Sequence, residues 1–131
     1  MATMLDELLL AAREAGRGAY CPYSRFHVGA AVWAGGRSFA GANVENASYG
    51  LTMCAERTAI FAAVTAGATR IEAVAIACAD VPEGSDRALS MPCGACRQVL
   101  AEFAGPEAPV LVDGVGTFML GDLLPWAFRL R

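Results

Sequence analysis

A chain of 131 residues carries enough sequence for one domain, and its 56% hydrophobic content, much of it alanine and valine, excludes a disordered segment. Charge excludes a polyanionic partner: the net value is −3, and the ten basic residues are all arginine and scattered, so neither a nucleic acid nor a membrane surface is an expected partner. No apolar run approaches the roughly 20 residues that cross a bilayer, and Asp6 and Glu7 stand where a secretion signal would be basic, so a cytoplasmic protein is expected.

Leu5, Leu8, Leu9, Ala12 and Ala15 recur at helical spacing before Gly16 and Gly18, which predicts an opening amphipathic helix. Phe26 to Trp33 and Arg37 to Val44 read as two strands joined at the tight turn Gly35-Gly36. His27, at the start of the first strand, lacks the context of a metal ligand and reads as an ordinary surface or packing residue. Cys54 to Ala66 repeats alanine at helical intervals and stops at Gly67, and Ile71 to Ala79 is a continuous apolar run suited to a strand covered on both faces. A loop from Asp80 to Met91 leads to a helix over Gly94 to Phe103. Short strands follow at Pro109 to Val112 and Thr117 to Leu120, and a last helical turn is predicted over Asp122 to Phe128. With no repeat or linker the whole chain, 1–131, reads as a single domain of the α/β class, three layers α/β/α with a mixed sheet of about five strands.

Five cysteines in such a chain are metal ligands, catalytic groups or buried thiols before they are a disulfide framework. Cys93 and Cys96 form a C-x-x-C at the mouth of a predicted helix, where free N–H groups and the helix dipole favour thiolates. Alone that motif is equally one of a redox pair or of two buried thiols. Cys54 begins a helix as well, and two helix mouths aimed at one point would supply three thiolates. Zinc takes four ligands and a catalytic site keeps one position open, so three cysteines without a dependable fourth point to an open site. Cys78, in a buried strand, and Cys21, in a loop beside Pro22, are the candidates to close it. Glu56 is the candidate general acid and base: two residues from Cys54, it reaches the same point only if Cys54 stands at the helix start.

Five segments then carry a resemblance over nearly the whole chain: Pro22-Tyr23-Ser24-Arg25-Phe26 with Val28-Gly29-Ala30-Ala31, Asn43-Val44-Glu45-Asn46-Ala47-Ser48-Tyr49, Cys54-Ala55-Glu56-Arg57-Thr58, Pro92-Cys93-Gly94-Ala95-Cys96-Arg97-Gln98-Val99, and Leu123-Leu124-Pro125. In these the sequence is similar to the small, homotetrameric, zinc-dependent cytidine deaminases. The resemblance implies one Zn²⁺ per subunit on Cys54, Cys93 and Cys96, and a zinc-acidified water that attacks carbon 4 of free cytidine or deoxycytidine while Glu56 shuttles protons. The products would be ammonia and the uridine nucleoside, as in pyrimidine salvage. It also implies substrate contacts from Phe26, Asn43, Glu45 and Ala55, with Ala47, Tyr49 and Phe128 contributed across subunit interfaces. Many relatives have serine where this chain has Met91, a position expected to act through its carbonyl.

Arg57 is expected beside the thiolates, because three of them around one Zn²⁺ leave a net −1 that a guanidinium offsets. Two other readings share part of this pattern: a blasticidin-type deaminase, which should lack the Asn43-Val44-Glu45-Asn46 segment in this form, and a non-catalytic zinc-stabilised module, in which Glu56 would have no use.

Overall fold

A two-residue Gly35-Gly36 turn with both φ angles positive (61° and 79°) suits the right-handed twist of a hairpin, and it joins β1 (Val28–Ala34) to β2 (Arg37–Ala42). These elements belong to a computed structural model that describes residues 2–130. Before the hairpin runs α1 (Ala2–Gly16), and after it come α2 (Ala55–Thr65), β3 (Ile71–Cys78), α3 (Gly94–Phe103), β4 (Pro109–Val112), β5 (Gly116–Met119) and the short α4 (Leu120–Leu123). The five strands lie in the order β2-β1-β3-β4-β5. All neighbours are antiparallel except β3 and β4, which run parallel in the register Val74 to Val110 and Ile76 to Val112. A parallel pair needs a crossover, and α3 makes it.

Alternation along the strands divides the core into two layers. Ala30, Val32, Val74, Ile76, Val110 and Val112 face α2 and α3, where they meet Ala59, Ile60, Ala63 and Leu100. Ala31, Ala73, Ala75 and Ala77 face the other way, onto Leu8 and Ala12 of α1. The result is the expected α/β/α sandwich on a mixed sheet. The run Ile71–Cys78 is buried on both sides apart from Glu72 and the half-buried Cys78, as its unbroken apolarity predicted.

Small residues set how closely the layers approach. A methyl group at Gly29 would lie 2.5 Å from the Gly16 nitrogen and 2.9 Å from the Ala12 carbonyl carbon, so α1 rests directly on the β1 backbone. A methyl at Gly41 would lie 2.5 Å from the Ala59 nitrogen and 2.9 Å from the Thr58 carbonyl carbon, so α2 rests on β2 in the same way. The Thr58 hydroxyl donates to the Ala42 carbonyl at 2.9 Å and ties the two elements further.

The C-terminus differs from the sequence expectation. The last helical turn covers Leu120–Leu123 rather than Asp122 to Phe128, because Leu124 precedes Pro125 and leaves the helical region (φ −142°, ψ 71°). Trp126 then turns the chain with φ 55°, and the tail runs on without helix. Two single 3₁₀ turns, Tyr49–Leu51 and Arg87–Ser90, lie in segments that periodicity left as loops.

Candidate active site

Two helix starts converge at one end of the sheet. Cys54 is the residue capping α2 (φ −74°, ψ 153°) and Cys93 the residue capping α3 (φ −70°, ψ 167°), both extended, so each thiol hangs at a helix mouth and Cys96 joins from the first turn of α3. Cys54 Sγ lies 4.0 Å from Cys93 Sγ, and Cys93 Sγ lies 3.5 Å from Cys96 Sγ. All three sulfurs fall within 4.8 Å of one another. Sulfurs about 2.3 Å from a tetrahedral zinc stand about 3.8 Å apart, so the donor set fits that ion in both chemistry and spacing. Among the described residues neither Cys21 nor Cys78 belongs to the cluster, which leaves three protein donors and a fourth position open.

The electrostatics of the cluster follow from its helix mouths and from Arg57. Arg57 Nη2 donates to Cys54 Sγ at 3.3 Å, and Arg57 Nε is buried with no hydrogen-bond partner in the described chain. A hydrogen bond from Cys96, reinforced by Arg57, brings the Cys54 thiol down to about 5 against the cost of burial. Cys96 is held protonated by that same bond and by its burial. Cys54 therefore ionises before Cys96.

Glu56 occupies the second helical position after Cys54 and is 7% exposed. Burial raises its carboxyl to about 7, with the neighbouring Cys54 charge adding to the shift. A carboxyl poised near neutrality is suited to accept and return a proton. Cys78, elsewhere on the β3 end, is pushed up to about 11 by burial, as an inert thiol would be.

Asn43 and Glu45 both turn toward the segment between α1 and β1. The buried Asn43 amide accepts from Val28 N at 2.9 Å and donates to Phe26 O at 2.7 Å, which pins the backbone on either side of His27. Glu45 accepts from the Tyr23 and Ser24 amides at 3.0 and 3.1 Å and from the Ser24 hydroxyl, bonds that hold its carboxyl below the ordinary range. A pocket of about 290 Å³ opens beside it, lined by Tyr23, Ser24, Glu45, Asn46, Tyr49 and Thr52. The role of Ser24 in holding Glu45 carried no sequence signal beyond its place in the Pro22–Phe26 motif. His27 Nδ1 is 2.8 Å from Asp80, and among the described residues His27 does not join the thiol cluster.

The remaining predicted residues separate into buried and exposed. Ala55 is fully buried at the α2 start and Phe26 is half-buried, whereas Ala47 is exposed, Tyr49 is 80% exposed and Phe128 is 69% exposed. Cys93 is exposed as well, so one chain does not wall off its own thiol cluster.

Comparison with known proteins agrees with this geometry. Residues 3–112 match the family described as the cytidine and deoxycytidylate deaminase zinc-binding region. The chain is 51% identical over 121 residues to a cytidine deaminase of Mycobacterium tuberculosis, covering 91% of this chain and 85% of that one. It is 45% identical over 126 residues to a cytidine deaminase of Halalkalibacterium halodurans, covering 92% and 91%. In three dimensions it is similar to the crystal structure of cytidine deaminase from Mycobacterium tuberculosis, with a TM-score of 0.82 at 46% identity over 96% of this chain and 98% of that one.

Proposed function

The chain belongs to the zinc-binding family of cytidine and deoxycytidylate deaminases, and from that premise we propose that it hydrolyses the exocyclic amino group of free cytidine and deoxycytidine, with Cys54, Cys93 and Cys96 as zinc ligands and Glu56 as the proton carrier. The observation that carries this reading is the meeting of three thiols and one buried carboxyl at two helix starts. Zinc held there supplies a Lewis acid and makes a nucleophile of water at neutral pH. Arg57 draws charge from the Cys54 sulfur, which keeps the ligand set from offsetting that acidity.

Glu56 takes a proton from the attacking water, delivers it to the ring nitrogen beside carbon 4, and then assists departure of the amino nitrogen as ammonia. Its burial supports both directions of transfer, since a group titrating near 7 gives and takes a proton with little penalty. Asn43 holds the Phe26 backbone so that the ring can pack on the pyrimidine, and the Glu45 carboxylate beside the Tyr23–Thr52 pocket accepts from a ribose hydroxyl. Oε1 is taken up by the Tyr23 and Ser24 amides, while Oε2, bonded to the Ser24 hydroxyl alone, keeps a lone pair for that contact.

The working form is a homotetramer in which Ala47, Tyr49 and Phe128 complete a neighbour's site. Exposed Tyr49, Leu51, Phe61 and Phe128 support this, as does a thiol cluster open on one side. The chain acts as one catalytic domain in the cytoplasm, where its five free thiols stay reduced, and serves pyrimidine salvage. No helix of the described chain is long and apolar enough to cross a membrane.

Incubation of purified protein with cytidine and with deoxycytidine, following the ultraviolet spectrum and ammonia, tests the activity. Conversion of neither nucleoside by zinc-loaded protein would refute it. Light scattering that returns the mass of one active chain would refute the assembly.

A further inference from the structure

One guanidinium ties the metal loop to the C-terminal tail. Arg97 follows Cys96 on α3 and is half-buried. Its Nε donates to the Pro92 carbonyl at 2.8 Å, and its Nη1 donates to the Leu123 carbonyl at 2.7 Å. The side chain lies in a narrow apolar cleft shared with Glu56, Cys96, Ile60 and Leu123, beneath the thiol cluster. Charge-assisted bonds of this length, away from bulk water, are among the stronger and more geometry-fixing contacts a protein makes.

Each acceptor has a consequence. Pro92 directly precedes Cys93, so holding the Pro92 carbonyl fixes the peptide from which the Cys93 thiol hangs. Leu123 ends α4, and from it the chain turns through Pro125 and Trp126 toward Phe128. Two further bonds keep that tail along α3: Gln98 Nε2 donates to the Phe128 carbonyl at 3.1 Å and Arg129 Nη1 donates to the Ala101 carbonyl at 3.3 Å. The helix that presents Cys93 and Cys96 at its start thus carries the tail along its flank.

We propose that Arg97 is a positioning residue that locks the Pro92–Cys96 metal loop and the Phe128-bearing tail into one unit, so that the thiol geometry of one subunit and the placement of the tail at its neighbour are set together. The tail half of this inference rests on the tetramer reading above, and the metal-loop half does not.

The test uses zinc-loaded protein and four variants, Arg97→Gln, Arg97→Lys, Phe128→Ala and the Arg97→Gln/Phe128→Ala double variant. Zinc release to a chromogenic chelator is measured beside kcat and KM for cytidine. Arg97→Gln should release zinc at least about tenfold faster and raise KM by about tenfold, as loss of outer support to a metal site does. Lysine supplies one compact ammonium in place of a fork, so Arg97→Lys should fall between parent and Gln in zinc release, and it carries the test if Arg97→Gln does not fold. Phe128→Ala should raise KM with zinc release unchanged, and the double variant should have a KM no worse than the larger single effect, because both changes act through one tail. Zinc release at the parental rate in the folded Arg97 variant overturns the proposal whatever the substrate proves to be. Multiplying KM effects overturn the coupling of loop and tail while leaving the deaminase reading intact.

Discussion

Replacing Gly41 by alanine moves the catalytic helix without touching a catalytic group. The new methyl would stand 2.5 Å from the Ala59 nitrogen and 2.9 Å from the Thr58 carbonyl carbon, both backbone atoms of α2. Apolar contact needs about 3.4 Å or more, so β2 and α2 must part by about 1 Å. Helix α2 carries Cys54 at its cap and Glu56 in its first turn, and a metal site tolerates about 0.2 Å in ligand distance, so the displacement is severalfold too large for the cluster. Misplacement on the order of 1 Å costs about 100-fold in turnover. Overpacking costs about 1–3 kcal/mol, which for a chain of this size lowers Tm by roughly 4–15 °C. Gly29→Ala is the matched control: its methyl strikes α1 on the opposite face of the sheet, 2.5 Å from the Gly16 nitrogen. It should lose comparable stability yet keep zinc and kcat. Zinc per chain by elemental analysis, kcat for cytidine and Tm are measured on both. If Gly41→Ala keeps zinc and turnover within about twofold of the parent, or if the two variants lose turnover equally, the argument from helix placement is wrong.

Glu56→Gln should retain zinc and lose nearly all turnover, about 1,000-fold or more, since an amide keeps the shape but carries no proton; turnover within severalfold of the parent contradicts the role. Single alanine substitutions of Cys54, Cys93 and Cys96 should each lower zinc content, and those of Cys21 and Cys78, which lie outside the cluster, should not; zinc loss in the Cys21 variant would point to a closed structural site. Asp113→Asn removes the pair in which Arg13 donates to Asp113 at 2.7 and 2.9 Å. Arg13 is half exposed, so solvent screening keeps the loss small at neutral pH. The hydrogen bond from Arg13 depresses the folded Asp113 pKa, so the contribution is fully present above the ordinary aspartate range and fades as pH falls through the lower folded value. Denaturant titrations of parent and variant should converge in acid below that range, and a difference that persists there would assign the effect to something other than the ion pair.

Much of the fold and the chemical identity of the site are legible in the order of residues, because the signals are local. Helical spacing in Leu5 to Ala15, the alanine repeat stopped by Gly67, the Gly35-Gly36 turn and the unbroken apolar run of β3 each act over one or two turns of chain, and the structure has all four elements. Cysteine at two helix starts is likewise a local fact. Tertiary structure decided the rest. The strand order β2-β1-β3-β4-β5 brings Cys54 and Cys93, 39 residues apart, to 4.0 Å, and no local pattern encodes that order. Folding also closed Ser24 onto Glu45 and gave Arg97 its two acceptors. Those acceptors are main-chain carbonyls, which every residue carries alike, so the sequence marks the donor and is silent about the partner until folding brings the two together.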